Sequence, residues 1–179
     1  MIEDRTREMS AGPGVVYFAH GQESGPWGTK IQALADIAQA RGLAVDSPDY
    51  SDLVHDAEAR AERLRKLLAE TRKPVVLVGS SMGGWVSVRR AGDPGVVGLF
   101  LMAPAFEMPG HPRLSLQGKD VPTMIVHGWD DEVVPVDESL KAAREAGVSL
   151  LLLPDGHRLT PSLSVIEHHF SSFLEALGW

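Results

Sequence analysis

The run Val75-Val76-Leu77-Val78-Gly79-Ser80-Ser81-Met82-Gly83-Gly84 decides the fold. Four apolar residues, three of them β-branched, follow Pro74 and read as a strand buried on both faces. Gly79 to Gly83 then match G-x-S-x-G, and a helical stretch from Met82 to Ala91 begins at once. In that context the serine belongs on a tight strand-to-helix turn, with glycines where a Cβ would clash. Such a turn lifts the Ser81 hydroxyl above the sheet. It also sets the Met82 N–H beside that hydroxyl, at the positive end of a helix. A phosphate loop is the competing explanation, but neither G-x-G-x-x-G nor Gly-x-x-x-x-Gly-Lys is present.

Working outward, Val15 to Ala19 is the first strand, and it runs into the glycine-rich loop His20 to Gly28. A helix follows from Thr29, read as its N-cap, to a stop at Gly42, with Ile31, Leu34, Ile37 and Ala38 on one face. Leu43-Ala44-Val45 is a short second strand, and Asp56 to Thr71 is helical. Beyond the central unit, Val96 to Met102 returns to the sheet, and Ala103 to Asp120 is a loop with three prolines. Pro122 to His127 is a strand, Asp137 to Ala146 a helix, and Val148 to Leu153 the last strand. Thr160-Pro161 reads as the N-cap and first residue of the last helix. Alternating elements with uniformly apolar strands predict an α/β fold. The expected architecture is a doubly wound, mostly parallel sheet of about six strands with helices on both faces. Residues 1–14 read as a charged, flexible arm, and 15–179 as one domain. Right-handed crossovers would bring every strand-to-helix loop to one edge.

Composition narrows the function. A net charge of −7 and the lack of a basic run speak against a nucleic-acid surface. No stretch approaches the ~20 apolar residues of a membrane span. The first residues lack the apolar segment of a secretion signal, so a cytoplasmic location is expected. There is no cysteine, hence no disulfide, thiol nucleophile or thiolate metal site. The expectation is a protein without cofactor or metal.

A serine on such a turn needs a base and an acid. In His127-Gly128-Trp129-Asp130-Asp131-Glu132-Val133-Val134-Pro135, Asp131 lies shortly past a strand tip with Val134-Pro135 anchoring the return, and Asp130 is its nearest rival. Of seven histidines, His20 and His127 end strands before glycines and are expected to brace loop backbone. His55 and His111 fall outside the converging loops or far along one. His168 and His169 sit mid-helix, and Glu167-His168-His169 lacks the H-E-x-x-H metal spacing. His157 follows the last strand, after Gly156, and reaches the active edge. The order is therefore Ser81, Asp131, His157, unlike that of chymotrypsin or subtilisin.

With these three motifs the sequence resembles the α/β-hydrolase superfamily over residues 15 to 179, and most of all its small capless esterases and thioesterases. Their first loop reads H-G-x-x-S-x-P with a lysine soon after. Here it is His20-Gly21-Gln22-Glu23-Ser24-Gly25-Pro26, followed by Lys30. The resemblance implies an oxyanion hole from the backbone N–H groups of Met82 and Gln22, with Gly21 the fallback for the second. It implies a serine hydrolase acting on a small-molecule acyl ester or thioester.

The loop from Ala103 to Asp120 is too short for a helical lid, so an open site is expected. Trp27, Phe106, Met108 and Leu159 are the candidates for an acyl groove, and Trp129 for covering the acidic turn. Two other classes compete: an idle hydrolase fold used as a binding or partner protein, and a nucleotide-binding α/β protein. Chain length of the acyl group, leaving group and oligomeric state are not legible in the sequence.

Overall fold

The structure, a computed structural model, describes residues 12–179. Residues 1–11 of the expected arm lie outside that range. At its inner end the chain is tied down: the Lys73 ammonium donates to the Gly12 carbonyl, and Gly14 is buried against the ring of Trp179.

Six strands form one parallel sheet: β1 (Val15–Ala19), β2 (Ala44–Asp46), β3 (Val75–Ser80), β4 (Val96–Met102), β5 (Thr123–Gly128) and β6 (Ser149–Leu153). Their spatial order is β2-β1-β3-β4-β5-β6. Five helices are described: α1 (Thr29–Ala40), α2 (Ala57–Glu70), α3 (Met82–Arg90), α4 (Val136–Ala146) and α5 (Leu163–Ala176). The doubly wound parallel sheet expected from the alternation is present.

Period-2 alternation sorts the strand residues into two cores. Tyr17, Leu77, Leu99 and Leu101 face a layer made by α2, α3 and α4, where Leu64, Trp85 and Ala142 are buried. Val16, Phe18, Val76, Val78 and Phe100 face the other layer, made by α1 and α5, against Leu34, Ile166 and Phe170. Because both faces are covered, the strands carry apolar runs instead of polar alternation.

Three helix starts depart from or sharpen the sequence reading. Asp56, read as the first helical residue, is the cap of α2, its carboxylate accepting the Ala59 N–H at 2.8 Å. Gly28, not Thr29, caps α1, with no side-chain cap bond. Ser162 takes the cap position of α5, so Thr160 and Pro161 lie in the turn before it. That turn is held elsewhere, by the Asp155 carboxylate accepting the Ser162 N–H, which local propensity does not announce.

The chain winds from β1 outward to β2, then crosses back to β3. The strand order therefore reverses between β1 and β3, the place where an open α/β sheet leaves a crevice at its carboxyl rim. Their register aligns Ala19 with Gly79, so the two loops leave the sheet side by side. Close approach there is built from glycine. A Cβ on Gly83 would run into the Ala19 carbonyl, and one on Gly79 would meet the Gly83 carbonyl and, at 2.6 Å, the Ser87 hydroxyl.

This packing predicts a contrast between two glycines. Gly83→Ala should lower stability by more than the ~1–3 kcal/mol of ordinary overpacking, because the obstacle is backbone. Gly25→Ala, whose Cβ would meet nothing within 4 Å, should stay within about 0.5 kcal/mol. Denaturant unfolding of both variants checks this, and equal losses would contradict it.

Candidate active site

Ser81 occupies the turn between β3 and α3 with φ 55° and ψ −119°, a region that a side chain adopts only when its surroundings enforce it. Backbone hydrogen bonds at both its N–H and its carbonyl enforce it here. The Ser81 N–H donates to the Met102 carbonyl at 3.1 Å, and the Ser81 carbonyl accepts the N–H of Gly84 and of Ala105. The hydroxyl is thus carried on a rigid corner.

From that corner a chain of hydrogen bonds crosses three loops. His157 Nε2 lies 3.1 Å from Ser81 Oγ, and His157 Nδ1 lies 2.7 Å from Asp131 Oδ2. With the carboxylate ionised, Nδ1 is the donor, which leaves Nε2 free to accept the serine proton. The loops carrying the acid and the histidine are clasped together. Trp129 N–H donates to Leu153 O, and Asp130 N–H to Asp155 O, over Gly128, where a Cβ would strike the Asp155 carbonyl.

Asp131, not Asp130, is the carboxylate in the chain. Its side chain has no exposed surface, so every lone pair needs a donor. Oδ1 accepts the N–H groups of Val133 and Val134, both at 2.8 Å. Oδ2 takes His157 and lies 3.0 Å from His127 Nε2. Burial pushes the carboxyl pKa up, but the His157 bond and the Val134 and Val133 N–H groups outweigh it. The group ends below the usual carboxylate range.

Sequence reading expected His127 only to brace loop backbone. It does so, donating through Nε2 to the Val134 carbonyl at 3.0 Å. Its second contact, with Asp131, was hidden in the spacing of four residues around a turn. Ser139 on α4 sits 2.7 Å from His127 Nδ1, and as Nε2 is the donor, the serine hydroxyl donates to Nδ1. His20 also braces: Nδ1 donates to the Gly21 carbonyl at 2.8 Å, and Nε2 accepts the Tyr50 N–H at 3.0 Å. Burial is the main cause that lowers the pKa of both rings, so both stay neutral.

A cleft of about 980 Å³ opens over Ser81 and His157, floored by Gly21 and Gln22 and flanked by Lys30, Val133 and Arg158. Among the described residues, the backbone N–H groups of Gln22 and Met82 donate to no protein acceptor. Gln22 is held through its side chain, its amide donating to His55 Nδ1 at 2.8 Å. Lys30 ties α1 to the histidine loop, its ammonium donating to the Arg158 carbonyl at 2.6 Å, and burial lowers its pKa. A separate depression of about 570 Å³, near Pro122, Gly147 and His169, lies at the opposite rim of the sheet.

The expected acyl groove is not where sequence placed it. Phe106 and Leu159 are wholly buried core residues. Met108 packs against the core beneath the 103–120 loop. Trp27 is exposed but lies outside the cleft lining, as does Trp129. The physical reason is the 103–120 loop, which folds down onto the body. Glu138 Oε2 on α4 accepts the N–H of Phe106 and Glu107, and Trp85 Nε1 donates to the Pro112 carbonyl. Among the described residues, no lid crosses the site.

With this geometry in view, the family model described as the alpha/beta hydrolase family matches residues 16–123, from β1 through the serine turn to the start of β5. The chain belongs to the alpha/beta hydrolase family. A structure of an alpha/beta-superfamily protein from Xanthomonas campestris is similar at 34% identity, covering 91% of this chain and 99% of that one, with a TM-score of 0.85. Alpha/beta hydrolase domain-containing protein 10 from mouse is similar at 20% identity, with 92% and 90% covered and a TM-score of 0.73. Est1E from Butyrivibrio proteoclasticus, solved with ferulic acid bound, is similar at 16% identity, with 92% and 89% covered and a TM-score of 0.77. At those two identities the likeness is one of fold. Among curated proteins, none matches the sequence. No described helix of this hydrolase is long and apolar enough to cross a membrane.

Neutral buried histidines make stability depend on pH. Below the ordinary histidine pKa of 6.5 the unfolded chain takes up protons that the native rings of His20 and His127 refuse. Stability is therefore complete above 6.5 and is lost as pH falls toward the native values. The thermal midpoint should drop between about pH 7.5 and about pH 5.5, and less steeply in His127→Gln. Scanning calorimetry reads this directly; an equal slope in the variant would contradict the buried neutral ring.

Proposed function

We propose that this alpha/beta hydrolase is a serine hydrolase that cleaves small or exposed acyl esters or thioesters through an acyl-enzyme on Ser81. The observation that carries the reading is the continuous chain from Ser81 Oγ through His157 to the buried Asp131 carboxylate. His157 Nε2 takes the hydroxyl proton as Ser81 Oγ attacks the acyl carbonyl. Asp131 holds the imidazole in the tautomer that leaves Nε2 unprotonated, and it stabilises the imidazolium that forms. The Met82 and Gln22 N–H groups receive the developing oxyanion, each worth roughly 10²–10³ in rate. His157 then gives its proton to the leaving alcohol or thiol. Water, activated by the same nitrogen, releases the acid and restores Ser81.

The substrate follows from what surrounds this chain of groups. With no lid and few apolar walls among the described residues, the cleft suits a short acyl group, with the rest of the substrate left in solvent. Ile31 and Val133 are the apolar residues beside the cleft, and they offer little surface to a long chain.

Hydrolysis of p-nitrophenyl acetate should exceed that of long-chain esters. Ser81→Ala should lower turnover by about 10⁴–10⁶ without unfolding, and a fluorophosphonate probe should label wild type but not that variant. Asp131→Asn should cost about 10⁴, and Asp130→Asn little. Equal labelling of Ser81→Ala would remove Ser81 from the role. An unreactive wild type would favour a fold kept for binding a partner.

A further inference from the structure

Arg60, in the first turn of α2, is fully buried, yet among the described residues it has no carboxylate within ion-pair distance. A buried guanidinium without an anion is costly unless its donors are satisfied. Carbonyls satisfy them. Nε donates to Leu53 O at 2.8 Å and Nη2 to Val54 O at 3.4 Å. Nη1 donates to His20 O at 3.1 Å and to Gly21 O at 3.2 Å. The planar fork thereby stitches the loop before α2 to the loop after β1.

The Gly21 carbonyl is the informative partner, because it already accepts the His20 Nδ1 proton at 2.8 Å. Two donors hold that oxygen toward the protein interior. The Gly21–Gln22 peptide is trans, so its N–H points opposite to its C=O. Fixing the oxygen inward turns the Gln22 N–H outward, into the cleft. Gly21 lies against the serine corner: a Cβ placed on it would come 3.6 Å from Ser81 Cβ and 3.7 Å from Ser80 O. The Arg60 and His20 side chains hold this peptide in place.

We propose that Arg60, with His20, is a positioning residue for the oxyanion donor: it pins the Gly21 carbonyl so that the Gln22 N–H faces the position of the acyl oxygen whose carbon Ser81 attacks. The inference rests on the serine-hydrolase reading and names what holds its second donor in place. Arg60 itself touches no substrate. Its effect belongs to the transition state, where negative charge gathers on the acyl oxygen, and not to ground-state binding.

The test uses the full chain, p-nitrophenyl acetate, and an alkyl trifluoromethyl ketone that adds reversibly to the serine as a tetrahedral oxyanion. Rates are expressed per active site titrated with fluorophosphonate. Arg60→Met should lower kcat by about ten- to a hundred-fold, less than losing a donor outright, with KM nearly unchanged. The inhibition constant of the ketone should rise in proportion to the loss in kcat/KM. Arg60→Lys, which keeps a cation and fewer donors, should fall between the two and serves in place of the Met variant should that one not fold. A purely structural role would reduce the titrated fraction and the thermal midpoint, and leave both constants of the remaining sites unchanged. That result, or a drop in kcat without weaker ketone binding, overturns the proposal while the serine reading stands. A wild type that neither hydrolyses the ester nor reacts with fluorophosphonate overturns both.

Discussion

The backbone at Ser81 is the constraint on which the rest of this structure depends. A non-glycine residue at φ 55° and ψ −119° stores about 1–3 kcal/mol of strain. It persists because α3 is driven hard against the sheet. That approach needs Gly79 and Gly83, whose missing side chains admit the Ala19 and Gly83 carbonyls and the Ser87 hydroxyl. It also needs the buried face of α3, with Trp85, Val86 and Val88 pressed into one core. Apolar burial thus supplies the energy that holds a half-buried hydroxyl at the crevice between β1 and β3.

A second constraint is electrostatic. A carboxylate removed from water must be met by donors on every side, and Asp131 is. Two backbone N–H groups of its own turn fix one oxygen, and two imidazoles fix the other. His127, itself set by Ser139 and the Val134 carbonyl, keeps the acid from swinging away from His157. The tight turn and the satisfied acid lie on separate loops, brought together only by strand register and by the clasp between the loops after β5 and β6.

Much of this was legible in the chain. Uniformly apolar strands alternating with amphipathic helices gave the parallel sheet, and G-x-S-x-G after a strand marked the turn. Order along the chain, with the rule that loops after parallel strands share an edge, selected Asp131 and His157, which the structure brings into one hydrogen-bonded chain with Ser81. What stayed hidden depends on contacts distant in sequence. Phe106 and Leu159 looked like groove residues because apolar loop residues and apolar core residues read alike. Only the fold shows that Glu138 draws the 103–120 loop onto α4. Arg60 is one of several charges on α2, and nothing local sets it apart. Its neighbours, the carbonyls of His20 and Gly21, lie about forty positions earlier. The helix starts at Gly28 and Ser162 were misread because Thr29, and Thr160 followed by Pro161, carry local start signals, while the fold sets the starts one residue earlier and two residues later.

The central claim is covalent: Ser81 carries the acyl group between the two halves of the reaction. The most direct measurement is rapid acid quench of the protein with p-nitrophenyl acetate, followed by peptide mass spectrometry. The account predicts an acetyl group on the hydroxyl of Ser81 that forms within the first turnover and disappears as substrate is exhausted. Steady ester hydrolysis with Ser81 never acylated, or with the acetyl group on another residue, would contradict it.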